Sequence, residues 1–195
     1  MQDSPGKPRF VGSIRRVDES DVTLSWRPGC PTDVKDLRLL SMTHWGFDGE
    51  VERGELIVAA KQAKPVLGVM RRLFRHDYPF KRMKLVDRFG ADDDRSMKAN
   101  NTSGFNCRYI EGTDTWSQHA FGLAVDINPV QNPYVQESGE VSPARGARFA
   151  DRSRKHPALI RQGDAVTRAF AAIGWEWGGL WDGSKDYQHF SSTGG

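Results

Sequence analysis

The stretch Ser117-Gln118-His119-Ala120-Phe121-Gly122-Leu123-Ala124-Val125-Asp126-Ile127-Asn128-Pro129 brings an imidazole and a carboxylate close together in the chain. Leu123, Val125 and Ile127 alternate with Ala124, Asp126 and Asn128, so a strand here would turn its apolar side to the core and leave Asp126 on the opposite face. A carboxylate in a half-buried strand is costly unless it is paired or holds a metal. Gly122 permits a tight bend that would return His119 to the side of Asp126. Far downstream, Asp186-Tyr187-Gln188-His189-Phe190 supplies a second imidazole and a second carboxylate. His119, Asp126 and His189 together offer three N/O ligands, the number a catalytic zinc keeps while its fourth position stays open to water. Nitrogen donors favour zinc over magnesium or calcium, which prefer all-oxygen shells. Asp186 is spaced to act as general base on the water that such a metal acidifies.

Each residue also has a plainer reading. A lone histidine is more often a surface or hydrogen-bonded residue, and His44, His76 and His156 are read that way. A Ser117-His119-Asp126 nucleophile system is weaker, because Ser117 lies two residues from His119 with no nucleophile elbow around it. The run Asp92-Asp93-Asp94 could hold a cation, but consecutive aspartates are usually a solvated loop. Glu176 is a second available carboxylate, yet it lies between Trp175 and Trp177 and reads as structural.

Elements that could position these groups follow from periodicity. Leu37–Met42 and Gly54–Val58 flank Gly46-Phe47-Asp48-Gly49 and predict a hairpin. Pro65 opens an amphipathic helix through Val66, Leu67, Met70, Leu73 and Phe74, with Arg71, Arg72 and Arg75 on its other face. A short strand is expected over Met83–Val86. Ala165–Ile173 reads as a helix stopped by Gly174. Pro5, Pro8, Pro28, Gly29 and Pro31 mark the start of the chain as an arm or strand-poor lead-in.

At 195 residues and 21.9 kDa, with 37% hydrophobic and 27% charged residues, the chain fits a single globular domain. Apolar runs such as Leu56–Ala60 are far short of the roughly 20 residues a membrane span needs. The net charge of +3, with basic residues scattered along the chain, gives only weak support to nucleic acid, which is not expected as a partner. Cys30 and Cys107 cannot build a multi-thiolate metal site; they form either one bridge or two free thiols. The first six residues carry neither a basic nor an apolar leader region, which fits either an internal protein or one whose leader has been removed.

The pattern Ser117-x-His119-x-x-Gly122-x-Ala124-x-Asp126, followed by Asp186-x-x-His189, resembles the VanY-like zinc D-alanyl-D-alanine carboxypeptidases and L-alanyl-D-glutamate endopeptidases, which share a fold with the hedgehog signalling domain. Ser96–Arg108 and Gly174–Gly179 are similar to one branch of that family, so the resemblance runs from Met83 to Phe190. It implies an α+β fold in which helices pack on a small, mainly antiparallel sheet. Residues 1–35 would form the lead-in and 36–195 one catalytic domain. It further implies His119, Asp126 and His189 as zinc ligands, Asp186 as catalytic acid/base, and Arg108 as a catalytic group that binds the substrate's carbonyl or carboxylate. Ser117, Ser103 and Asn106 are weaker substrate-binding candidates. The implied activity is hydrolysis of peptidoglycan stem peptides by a monomer, secreted or wall-associated, or cytoplasmic if the protein is phage-derived or a VanX-like dipeptidase. The D-alanyl-D-alanine carboxypeptidase branch is the closer likeness, with the endopeptidase as the alternative. In a different class, the hedgehog relationship admits a non-catalytic zinc-stabilised binding module. Asp186 beside a full ligand set argues against that module, which needs no base. The sequons at Asn100 and Asn101 would matter only in a eukaryotic secretory pathway.

Overall fold

Alternating apolar residues build the first sheet. In the computed structural model, which describes residues 8–194, β2 (Leu37–Trp45) and β3 (Val51–Ala59) pair antiparallel as the expected hairpin, with Leu37 opposite Ala59 and Trp45 opposite Val51. β1 (Gly12–Arg16) adds to the other edge of β2. The period of two divides the hairpin's side chains between two cores. Leu40, Met42, Leu56 and Val58 face the main core, while Leu37, Leu39 and Ile57 pack with Val17, Val22, Phe105 and Cys107. Beside this second core the sulfurs of Cys30 and Cys107 are bonded, so the segment from β1 to β2 is tied to the chain just before Arg108.

Helix α1 (Ala63–Arg75) buries Val66, Leu67, Met70, Leu73 and Phe74 against the main core, with Pro65 in its first turn. Arg71, Arg72 and Arg75 are exposed on its outer face. Helix α3 (Ala165–Ala171) starts at Asp164, whose Oδ1 accepts from Thr167 N at 2.9 Å, and the chain turns away at Gly174 with φ +80°. The remaining strands are short: β4 (Ala124–Asp126), β5 (Tyr134–Val135), β6 (Val141–Ser142), β7 (Glu176–Trp177), β8 (Lys185–Asp186) and β9 (His189–Ser191). They form two further antiparallel sheets, ordered β4-β9-β7 and β6-β5-β8. The fold is α+β, with small antiparallel sheets and few helices. Among the described residues no helix is long and apolar enough to cross a membrane.

Two local expectations change. Met83–Val86 forms no strand beyond a single bridge from Met83 to Thr102. The Asn101 side chain takes both main-chain groups of Lys84, accepting from its N and donating to its O at 2.9 Å each. A side-chain amide thus replaces the neighbouring strand. The aspartate run is not a loop either: it opens helix α2 (Asp93–Lys98), where Asp92 Oδ1 accepts from Arg95 N at 2.9 Å and negative charge meets the positive end of the helix dipole. Asn100 and Asn101 are buried, and their amide nitrogens donate to Gln131 and to Lys84 and Ser96. Neither is exposed as a glycan acceptor.

The long connection after β4 is held by a guanidinium rather than by strands. Arg152 donates to the carbonyls of Gln131, Phe149 and Ile160 and to Asn132 Oδ1, at 2.6–3.0 Å. Its charge also sits 4.2 Å from the Tyr187 ring centre, next to Asp186. Burial pushes its pKa down to about 10, still cationic at neutral pH. Arg152→Met leaves the three buried carbonyls without this donor, while Asn132 Oδ1 keeps only Ile160 N, and is expected to cost about 3 kcal/mol. The midpoint of urea unfolding measures this; an unchanged midpoint would show that water replaces the guanidinium.

Candidate metal centre

The cluster begins with a register. β4 and β9 pair so that Asp126 lies directly opposite His189 and Val125 opposite Phe190. Opposed residues share a face of the sheet, and successive residues alternate. Val125 and Phe190 therefore anchor in the main core, Phe190 stacking on Phe170 at 4.1 Å. Asp126 and His189 are turned together to the other side, where His189 Nδ1 is 3.0 Å from Asp126 Oδ1. On the far edge of β4, Ser103 exchanges main-chain hydrogen bonds with Asp126 at 2.9 and 3.0 Å, so Asp126 is held from both sides.

His119 arrives from a tight turn over Gln118–Phe121. Ser117 Oγ accepts from His119 N at 3.3 Å, and the turn ends at Gly122 with φ +66°. A Cβ on Gly122 would stand 2.5 Å from Ala59 N, which donates to the Gly122 carbonyl. Only glycine supplies both this conformation and this approach. The bend returns His119 beside Asp126, with Nε2 3.1 Å from Oδ2.

The ring orientation decides what that contact is. His119 Nδ1 lies 2.6 Å from the Gly104 carbonyl, which can only accept, so Nδ1 carries the hydrogen. In the neutral imidazole, Nε2 then holds a lone pair. It is buried, has no hydrogen-bond partner and faces a carboxylate oxygen. A lone pair facing an anion is relieved by a proton on Nε2 or by a metal ion shared between the two groups. One ligand atom each from His119, Asp126 and His189 lies within 4.8 Å of the others, all three residues buried. The donor set fits a metal ion. Burial alone would lower the pKa of His119, but the charge of Asp126 and hydrogen bonding to its carboxylate together raise it. Burial would raise Asp126, and the two imidazoles instead hold it well below the usual carboxylate range. In His189 burial prevails and lowers the pKa, favouring the neutral, ligating form.

Asp186 lies on β8, opposite Tyr134 of β5. Its Oδ1 is buried and unpartnered, and burial, followed by the Asp126 charge, raises its pKa well above the ordinary carboxylate value. A carboxyl that takes up protons readily beside a metal-ligand set is suited to moving a proton. A Cβ on Gly178 would stand 2.7 Å from the Asp186 carbonyl, so the glycine lets the Trp177–Leu180 turn close over β8.

Arg108 is held through NH2 to Asp93 Oδ2 at 2.8 Å, and its Nε is buried without a partner. Ser103, Ser117 and Asn106 are all buried beside the cluster. The Asn106 side chain donates to the Ala91 carbonyl and its N to the His119 carbonyl. His44, His76 and His156 stand outside the ligand group: His44 packs edge-on to Phe80, His156 between Phe47 and Phe149, and His76 is exposed. Glu176 is exposed on β7. Two surface cavities, one lined by Phe10 and Arg71 and one by Trp45 and Phe47, carry none of the cluster's residues. Sequence reasoning did not identify the Gly104 carbonyl or Asp93. A main-chain acceptor leaves no mark on residue type, whereas Asp92 as a helix cap could have placed Asp93 in a first turn.

No curated protein and no solved structure matches the chain. The family described as D-alanyl-D-alanine carboxypeptidase matches residues 111–192, the segment that contains His119, Asp126, Asp186 and His189 and omits Arg108. Over that segment the chain is similar to the D-alanyl-D-alanine carboxypeptidase family, whose members are metal-dependent peptidases.

Proposed function

We propose that this chain is a zinc D-alanyl-D-alanine carboxypeptidase that removes the terminal residue of peptidoglycan stem peptides. The observation that carries the reading is the buried N,N,O donor group of His119, Asp126 and His189 together with the proton-avid carboxyl of Asp186. Two imidazoles and one carboxylate suit zinc better than the oxygen-seeking cations. Zinc, when bound, supplies Lewis-acid polarisation of a carbonyl and acidifies water.

The chain's own residues do the rest. Asp186 takes a proton from the attacking water and gives it to the leaving amine. Its buried carboxyl group keeps that proton between the two steps because ionisation beside Asp126 is unfavourable. The Gly104 carbonyl fixes the His119 ring and its tautomer. Arg108 pairs with the substrate's terminal carboxylate through a planar guanidinium, a role lysine would fill less well. Ser103 and Ser117 form the wall along the peptide, with Asn106 behind them. Residues 36–195 serve as the catalytic domain and 1–35 as its lead-in, and the enzyme works as a monomer on the wall.

The test is mass spectrometry of a soluble stem pentapeptide incubated with zinc-loaded protein, with and without chelator. Loss of one terminal alanine, blocked by the chelator, is expected. A cut after the first L-alanine would make the enzyme an L-alanyl-D-glutamate endopeptidase instead. No cleavage of pentapeptide, cross-linked wall or D-alanyl-D-alanine, despite stoichiometric zinc, would leave a zinc-stabilised binding module.

A further inference from the structure

The three consecutive aspartates have different partners. Asp92 caps α2, and Asp94 pairs with Lys98 one turn along the same helix. Asp93 leaves its helix and reaches Arg108, Oδ2 to NH2 at 2.8 Å, with the two side chains 26% and 29% exposed. Partly buried pairs of this kind are less screened than those at the open surface.

The main chain at Arg108 is already fixed. Cys107 is bonded to Cys30, its carbonyl accepts from Arg27 at 2.6 Å, and the Arg108 carbonyl accepts from Ser117 N at 3.1 Å. Only the long side chain retains freedom, and Asp93 removes it. Yet Asp93 engages one nitrogen only. NH1 has a long 3.4 Å contact to the Tyr109 carbonyl, and Nε is buried with no acceptor. A guanidinium anchored at one corner, with a buried donor unused, is prepared for a planar two-oxygen anion. The charges of Arg108 and Asp93 both act on His119, in opposite directions, so the pair stands within electrostatic reach of the metal ligands.

We propose that Asp93 is the positioning residue that holds Arg108 for the terminal carboxylate of the substrate, and thereby sets a preference for peptides ending in a free acid. This rests on the carboxypeptidase reading.

The experiment measures binding rather than turnover. Zinc-loaded Asp186→Ala protein is titrated calorimetrically with a stem pentapeptide as its free acid and as its C-terminal carboxamide. The free acid is expected to bind about tenfold tighter. Adding Asp93→Asn should bring that ratio close to one while affinity for the amide stays unchanged, and Asp93→Glu should restore most of the preference. Zinc content and thermal midpoint should not move. A preference that survives Asp93→Asn overturns the proposal and leaves the carboxypeptidase reading intact. Equal binding of acid and amide before Asp93 is changed overturns it too. Loss of zinc or of folding in Asp93→Asn that Asp93→Glu fails to repair would make the residue structural. If Asp186→Ala protein binds neither peptide, the carboxypeptidase reading falls and the proposal with it.

Discussion

Asp186→Ala is expected to lower kcat on a stem peptide by about a thousandfold, with zinc still bound at one per chain. The size follows from the loss of a positioned proton carrier, and the retained metal follows from the topology. Asp186 sits on β8, which pairs with β5, whereas Asp126 and His189 face each other across β4 and β9. Truncating Asp186 therefore leaves the ligand register untouched. It also removes a buried, unpartnered carboxyl oxygen, so the thermal midpoint should hold or rise. Asp186→Asn keeps the shape while removing the basic oxygen and should be as inactive. Single-turnover kinetics together with the zinc-to-protein ratio check this. Retained activity in both variants would move the base elsewhere, and lost zinc would make Asp186 a ligand.

Stripping the metal should act on the fold itself. With the ion gone, His119 Nε2 and the Asp126 carboxylate are left facing each other in a buried site. Metal present at a thousandfold its dissociation constant contributes about 4 kcal/mol, so chelation should lower the melting temperature by about 8–16 °C for a chain of this size. Asp126→Ala should abolish the rise in melting temperature on adding zinc. Ser103 would still pair with the main chain of residue 126, because those bonds use only backbone atoms. Since imidazoles ligate in their neutral form and Asp126 raises the His119 pKa, the zinc-dependent rise should shrink as pH falls, starting above the ordinary histidine range. Equal melting temperatures with and without metal, across several metals, would remove the ion from the fold's energetics.

How much of this was legible in the residues depended on how local the cause was. The β2–β3 hairpin, α1 and α3 follow from apolar spacing and from the turn glycines, because each buries one face or two within a contiguous segment. Met83–Val86 and Asp92–Asp94 did not follow. The first was decided by the Asn101 amide, 17 residues from Lys84, and the second by a cap whose partner is a main-chain nitrogen.

The centre divides along the same line. Residue type and spacing offered His119, Asp126 and His189 as a candidate ligand set with Asp186 near it, the family resemblance singled them out, and the fold brings the three ligand atoms within 4.8 Å of one another. Gly122 did what its lack of a side chain allows, returning His119 to Asp126. Tertiary structure alone decided that Asp126 lies opposite His189, 63 residues away, because register is a property of two strands and neither contains it. It likewise decided that the Gly104 carbonyl dictates which His119 nitrogen is free, and that one aspartate of three reaches Arg108. A main-chain acceptor and a long-range ion pair depend on where the chain passes in space, which no local pattern of side chains encodes.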